Sequence, residues 1–310
     1  MRIIFFGSPA SAIFSLKKIL EEGHDVPLIV TQADKPSGRG RKLVSSPVKK
    51  FAQQSHIPVL QPERIKKDAA AFERIKEINP DLLVVHGYGQ IIPGNIIFFP
   101  KHNSVNVHFS LLPKYRGASP VQWAILNGEE KTGVTVFELN EKMDEGNILA
   151  QQEIEIYPRE KASELEIRMA VIGAEILAKT IACIAEIEPR KQDHSNATYA
   201  PKIKKEDGRI DWTKSALSVD RLVRAFFPWP SAFSFLMEKR IKVIEGFEAP
   251  VKISSYTPGE VLEIEKQGIT VGCGDQSAFT IQKLQPENRS EMTAYSFALG
   301  SRIERGARFS

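Results

Sequence analysis

An asparagine and a histidine two residues apart, with an aspartate on a later loop, form a set that could act on a carbonyl group. Asn106 and His108 open the stretch NVHFSLLPKYRG at residues 106–117, just after an apolar run, and Asp144 lies in KMDEG at residues 142–146. Alternating residues of an extended strand share a face, so Asn106 and His108 present an amide and an imidazole side by side. The amide can donate a hydrogen bond to a developing oxyanion, and the imidazole can donate or shuttle a proton near neutral pH. A loop carboxylate can receive or orient a proton on an attacking amine. Structural readings stand beside these: a strand-end histidine can serve only as a hydrogen-bonder, and Asp144 before Gly146 also suits an Asx-turn or a helix cap.

Other candidate groups point away from different chemistries. His24, His56, His86, His102 and His194 fall in no ligand spacing, so no metal site is expected. Ser110 lacks the GxSxG context of a nucleophilic serine and reads as a local backbone partner. Gly7, in FFGSP, is not followed by the two further glycines that let a dinucleotide pyrophosphate approach, which disfavours a nicotinamide cofactor. Gly87 and Gly89 flank Tyr88 at a strand exit, where small residues either admit a flat ligand to the backbone or make a simple turn.

The chain has 310 residues, 42% of them hydrophobic and 26% charged, enough for one large domain or two ordinary ones. Cys183 and Cys273 are far apart and in no CxxC spacing, which argues against a disulfide framework or a structural zinc and fits a reducing cytoplasm. The opening MRIIFFGSP meets Gly7 and Pro9 too early for a signal-peptide core and reads as a first strand, and no later stretch approaches a membrane span. Net charge is only +4, but it is uneven: residues 34–50 carry Lys35, Arg39, Arg41, Lys42, Lys49 and Lys50 against Asp34 alone. Such a run is either a polyanion contact or a solvated loop.

The elements that must position Asn106, His108 and Asp144 follow from hydrophobic periodicity. Apolar runs at 3–6, 26–31, 59–60, 82–85 and 104–107 alternate with helical stretches around 14–20, 48–54 and 72–78, a pattern of parallel strands joined by crossover helices. Ligands of such sheets bind at the carboxyl ends of the strands. Residues 133–139 alternate as an antiparallel or edge strand, residues 148–156 supply another, and 164–187 form a long amphipathic helix. After Glu188-Pro189 a polar, basic run lacks either period and is the candidate linker. From Val219 onward short strands are expected at 232–236, 240–244, 259–264, 268–273 and 278–284, the spacing of a small antiparallel barrel. The expected organisation is a catalytic domain at 1–189, a linker at 190–209 and a barrel domain at 210–310.

These segments together resemble the folate-dependent formyltransferases along essentially the whole chain. The resemblance is carried by FFGSP at 5–9, TQADKPSGRGRKLVSSPVK at 31–49, GYGQIIP at 87–93, NVHFSLLPKYRGASPVQWAI at 106–125, TGVTVFELNEKMDEGNIL at 132–149, TYAPKI at 198–203, RIDW at 209–212 and RAFFPWPSAF at 224–233. The NVH, SLLP and DEG elements are common to these enzymes and speak for the chemistry. GRGRK and the stretch from YAPKI to RIDW are similar to the branch that formylates initiator methionyl-tRNA.

The resemblance implies transfer of the formyl group of 10-formyltetrahydrofolate to an α-amine by direct attack, with Asn106, His108 and Asp144 catalytic and no metal. It implies that Ser110, Leu111, Leu112 and Pro113 contact the folate and that Gly87, Tyr88, Gly89 and Gln90 border its pterin. It implies an α/β fold: a Rossmann-like, mostly parallel sheet domain followed by an OB-like antiparallel β-barrel domain. Arg39, Arg41 and Lys42 would wedge at the tRNA acceptor stem, and Lys202, Lys204 and Lys205 would add a backbone contact. A monomeric, cytoplasmic enzyme of translation initiation is expected. The rival acceptor is a nucleotide sugar, glycinamide ribonucleotide enzymes being similar only to the first two hundred residues. The rival class is a noncatalytic RNA-binding protein. His86 and Phe109 depart from the family pattern at positions that are usually small, and are expected to narrow or reshape the folate pocket.

Overall fold

The computed structural model describes residues 1–37, 42–250 and 255–310, which divide into two compact units. The first comprises Met1–Pro120, Lys131–Glu155 and Glu166–Pro201, and the second Val121–Glu130, Ile156–Leu165 and Lys202–Ser310. The segment expected as a linker therefore divides at Pro201. Its first part is built into the first unit by backbone hydrogen bonds, with Arg190 bridged to Ile148 and Thr198 to Arg116. Polar residues without a hydrophobic period can still pair through their backbones.

In chain order the first unit's strands are β1 (Arg2–Gly7), β2 (Asp25–Val30), β3 (Lys35–Ser37), β4 (Lys42–Val44), β5 (Val59–Leu60), β6 (Leu82–His86), β7 (Ser104–His108), β8 (Arg116–Gly117), β9 (Lys131–Glu138), β10 (Ile148–Glu155) and β11 (Tyr199–Ala200). The main sheet runs β10-β9-β7-β6-β1-β2-β5. From β7 to β5 every pairing is parallel, whereas β9 is antiparallel to both β7 and β10. The antiparallel direction expected for 133–139 holds. Of the two alternatives, antiparallel or edge, the first applies: β9 is paired on both sides and β10 takes the edge.

Apolar runs make this sheet. Ile3, Ile4, Phe5 and Phe6 are fully buried, as are Leu82, Leu83 and Val84, because both faces of a parallel sheet are covered. Helices α1 (Ala12–Glu21), α2 (Pro47–Gln54), α3 (Ala69–Ile78) and α4 (Gly94–Ile97) follow the early strands. Asp68 caps α3 through the Ala71 amide at 2.9 Å, and the helix ends at Asn79 in a left-handed conformation before Pro80. Within the basic run β3 and β4 form a short antiparallel pair. Asp34 clamps its base, accepting from Lys49 at 2.7 Å, Gln61 at 2.9 Å and Ser45 at 3.2 Å. These bonds, Lys49 foremost, hold the Asp34 carboxyl below its ordinary range. Arg39 and Arg41 lie outside the described residues, and Lys42 opens β4.

Two helices were not expected ahead of the C-terminal strands: α5 (Pro120–Leu126) and, after the long α6 (Ala162–Ala182), α7 (Ala216–Ala225). Ser215 caps α7 through Ser218, and Ala216, Val219 and Val223 face inward at helical spacing where strands were expected to begin. The second unit's sheet contains β12 (Ala232–Leu236), β13 (Lys239–Ala249), β14 (Val261–Glu265), β15 (Gly268–Gly272), β16 (Ala278–Pro286) and β17 (Met292–Thr293), all antiparallel, in the order β12-β13-β16-β15-β14 with β17 on β16. Its core gathers Trp212, Val271, Phe279, Ile281 and Phe309. A last helix, α8 (Ala294–Ser301), is a short apolar stretch in which period alone does not separate helix from strand. The chain's final residues bond to both outer strands or their approaches, Ser310 to Phe235 and Phe309 to Gly259.

Candidate active site

Strand β7 lies between parallel β6 and antiparallel β9, with Asn106 opposite Val85 and Phe137 and His108 opposite Thr135. Its odd-numbered residues face the helices: the Cβ position of Gly173 in α6 is 3.1 Å from Val107 and 3.6 Å from Phe109. Alternation therefore turns Asn106 and His108 together to the opposite face. His108 is 6% exposed, and Asn106 Oδ1 is buried with no hydrogen-bond partner. An unpaired buried acceptor is costly, and this oxygen is open to an incoming hydrogen-bond donor.

His108 Nε2 is 2.9 Å from the carbonyl oxygen of Tyr115. A carbonyl only accepts, so Nε2 carries the proton and Nδ1 is left for chemistry. That Nδ1 is 3.8 Å from Asp144 Oδ2. Asp144 stands in the left-handed region at φ 55°, a conformation that aspartate tolerates better than most residues, and its Oδ2 also accepts from the Gly117 amide at 2.8 Å. The three residues singled out in the sequence are thus brought to one place, although the Asp144 loop begins at the far end of β7, where Leu139 N–H bonds to Ser104.

The loop after His108 is fastened to itself and to β9 and β10. Ser110 is fully buried and its hydroxyl donates to the Lys114 carbonyl at 2.6 Å, while its own carbonyl accepts from Thr135 Oγ1 at 2.6 Å. Leu112 uses its N–H on Thr135 and its C=O on Gln151. The partly exposed side chains of the four are Leu111 and Pro113. Thr135 and Gln151 were not singled out in the sequence, and Thr132, a second buried hydroxyl of β9, shows that residue type alone does not mark Thr135.

On the neighbouring strand exit, Gly87 and Gly89 are exposed, with φ of 64° and 77°. A Cβ at Gly87 would lie 2.8 Å from Pro9, and one at Gly89 would collide with the Gln32 amide, which bonds to the Tyr88 carbonyl at 2.8 Å. Between them the Tyr88 side chain turns into the core, edge-on to Phe6, and burial pushes its phenol pKa up. Gln90 is spent on Ile65 N–H and the Pro62 carbonyl. What this segment offers outward is the bare backbone of two glycines. Lys202, Lys204 and Lys205 are exposed in the second unit.

His86 and Phe109 do not face Asn106 and His108. His86 accepts or donates through Nδ1 to Ser15 of α1 at 2.9 Å and meets Phe109 edge-on, ring centroids 5.0 Å apart. The expectation that they shape the folate pocket is corrected by strand alternation: both belong to the helix-packed layer behind the site. Burial, reinforced by repulsion from His108, pushes the His86 pKa down to about 3.

A formyl transferase family model matches residues 1–181, and a formyl transferase C-terminal domain model matches residues 202–302. The chain belongs to the formyltransferase family. Among its formyltransferase relatives, the methionyl-tRNA formyltransferase of Geobacter sulfurreducens is 42% identical over 310 residues, covering 99% of this chain and 96% of that one. The methionyl-tRNA formyltransferase of Thermodesulfovibrio yellowstonii is 42% identical over 306 residues, covering 98% and 97%. Among solved structures, an N-formyltransferase from Helicobacter canadensis in complex with folinic acid and dTDP-3-aminofucose has a TM-score of 0.67 at 22% identity, over 90% of this chain and 98% of that one. HypX from Aquifex aeolicus, in complex with tetrahydrofolic acid, has a TM-score of 0.65 at 18% identity, over 96% of this formyltransferase and 47% of that chain. At those identities the solved structures share the fold with it. No helix among the described residues is long and apolar enough to cross a membrane.

The neutral His86 gives a stability test. Above its ordinary pKa of 6.5 the folded and unfolded chains both hold it neutral. Below 6.5 the unfolded chain takes up a proton that the folded chain refuses until about pH 3, so stability falls as the pH drops through that window. The loss is about 1.4 kcal/mol per pH unit. Between pH 7 and pH 5 the wild type should lose about 2 kcal/mol more than His86→Asn, read from urea unfolding midpoints. Equal losses would show that His86 is protonated in the fold.

Proposed function

We propose that this chain transfers the formyl group of 10-formyltetrahydrofolate to the α-amino group of initiator methionyl-tRNA. The activity follows from relatives that are methionyl-tRNA formyltransferases over nearly their full length. The convergence of Asn106, His108 and Asp144 on one face of the sheet is the observation that carries the chemistry.

The residues present suit a folate. The exposed glycine backbone at Gly87 and Gly89 admits a flat ring, Leu111 and Pro113 give apolar contact, and Asn106, whose Oδ1 has no partner, stands opposite Val85 on the strand next to the one the glycines follow. Bound there, 10-formyltetrahydrofolate supplies an activated formyl carbonyl. Asn106 donates through its amide to the carbonyl oxygen as the amine adds and charge gathers on it. His108, with Nε2–H held by Tyr115, directs Nδ1 toward the reacting groups and Asp144. Asp144, with Oδ2 held by the Gly117 amide, would accept a proton from the amine as its bond to the formyl carbon forms, and a proton would return to the folate nitrogen as the bond from that nitrogen to the formyl carbon breaks.

The division of labour runs with the family's two domain models. Residues 1–189 hold the folate and the reaction, and residues 210–310 hold the tRNA body through an OB-like barrel, with 190–209 between them. The barrel reading is supported by the antiparallel order of β12 to β16 and by the bonds of Phe309 and Ser310 to the outer strands. Arg39, Arg41 and Lys42, on the way from β3 into β4, contact the acceptor stem, and Lys202, Lys204 and Lys205 add backbone phosphate contacts. A product assay offering methionyl-tRNA and an amino nucleotide sugar in parallel separates the two acceptor classes.

Asn106→Ala and His108→Ala should each lower the formylation rate on the order of a hundredfold to a thousandfold while folate binding is retained, and Asp144→Asn should be comparably impaired. Wild-type rates in the three would end the assignment. Neutralising Arg39, Arg41 and Lys42 together should weaken tRNA binding and reduce the slope of log affinity against log salt by roughly 0.7–0.9 for each phosphate that is no longer neutralised. An unchanged slope would mean that the basic run is merely solvated.

A further inference from the structure

The loop that carries Asp144 leaves β9 at the wrong end of β7 and must be held back over the sheet. Two buried side chains from distant parts of the first unit do this. Arg116, in β8, is 1% exposed and is among the largest fully buried side chains of the protein. Its Nε and Nη2 both donate to Gln192 Oε1, at 3.2 and 2.7 Å, Nη2 also reaches His194 Nδ1 at 2.9 Å, and Nη1 lies 3.4 Å from Glu145 Oε1. Gln192 is 6% exposed, and its Nε2 donates to the carbonyls of Asp144 at 2.8 Å and Gly146 at 2.7 Å.

The chemistry of the partners fixes this arrangement. A guanidinium only donates and a carbonyl only accepts, so the Gln192 amide has a single orientation that satisfies all of them, with both Nε2 hydrogens committed to the Asp144 loop. The buried guanidinium has the Glu145 carboxylate of the same loop beside it, which a buried charge requires. Gly117, the neighbour of Arg116, closes the circuit through its amide to Asp144 Oδ2. The other end of the clamp is equally anchored, since β8 pairs with β11, seven residues past Gln192.

We infer that Arg116 and Gln192 are positioning residues that hold the Asp144 carboxylate against His108, acting through the backbone of the Asp144 loop. The inference rests on the role proposed for Asp144. Misplacing a reacting group by about 1 Å can cost on the order of a hundredfold in rate without a loss of binding.

Gln192→Glu is the discriminating variant, because it keeps an oxygen for Arg116 and replaces only the donor that faces two carbonyls. Gln192→Met, of similar volume, removes both links and serves if the glutamate does not fold. In either variant, turnover should fall on the order of a hundredfold. KM for folate and for methionyl-tRNA should stay within about twofold, the signature of a loss confined to the reacting state. Hydrogen exchange of residues 140–147 should quicken. In an Asp144→Ala background the Gln192 change should add no further loss of rate, since its object is already gone. Wild-type turnover in both Gln192 variants, or a full additional loss in the Asp144→Ala background, overturns this inference alone. A wild-type rate for Asp144→Ala by itself overturns the role of Asp144 and the inference with it.

Discussion

The direction of one strand governs the site. Because β9 runs antiparallel to β7, the connection from β9 to β10 starts next to Ser104, one strand length from His108. An all-parallel sheet would deliver its loops to the carboxyl edge without further help. Here a loop has to fold back across the sheet face, and its return is enforced at specific atoms. Gly146 lies so close to the Glu138 carbonyl that no side chain fits there, the Gln192 amide takes two of the loop's carbonyls, and the Gly117 amide takes the Asp144 carboxylate. The left-handed backbone at Asp144 is the local cost of the turn, and the surrounding bonds are what sustain it.

The same logic of consumed hydrogen bonds explains how the imidazole is prepared. Tyr115 reaches His108 through its carbonyl and is itself tied through its amide to Thr198 Oγ1 at 2.9 Å. The group that sets the tautomer is therefore positioned by the segment that also supplies Gln192. Ser110 and Leu112, in the loop between, are satisfied by Lys114, by Thr135 of β9 and by Gln151 of β10. The unpaired Asn106 oxygen stands out because its neighbours leave so little unspent.

How much of this was legible depended on the kind of signal. The parallel strands could be read because buried parallel strands are continuous apolar runs, and Asn106 and His108 fell on one face because strand alternation has a period of two. Asp144 could be named but not placed, since its position depends on a chain reversal and on partners fifty residues away that carry no periodicity. Gln192 sits in a polar run that read as a linker, and nothing local distinguishes a solvated glutamine from one whose amide is fully committed. Nothing in the sequence sets Arg116 apart from an exposed basic residue, though it is buried. His86 and Phe109 were noticed for their size, and the face they occupy follows from register with Val107, which needs the strand pairing to be known. Helix α7 was hidden because Val219 and Val223 are compatible with strand or helix until the Ser215 cap is weighed.

Acceptor recognition obeys a different physics from the reaction. The site depends on short-range hydrogen bonds among buried groups, which salt leaves largely untouched, whereas the contact proposed for the basic run would act through a field screened within a Debye length of about 8 Å at physiological ionic strength. The single acid of that run, Asp34, is committed to Lys49, Gln61 and Ser45, which fastens the start of β3 to α2 and to the segment after β5.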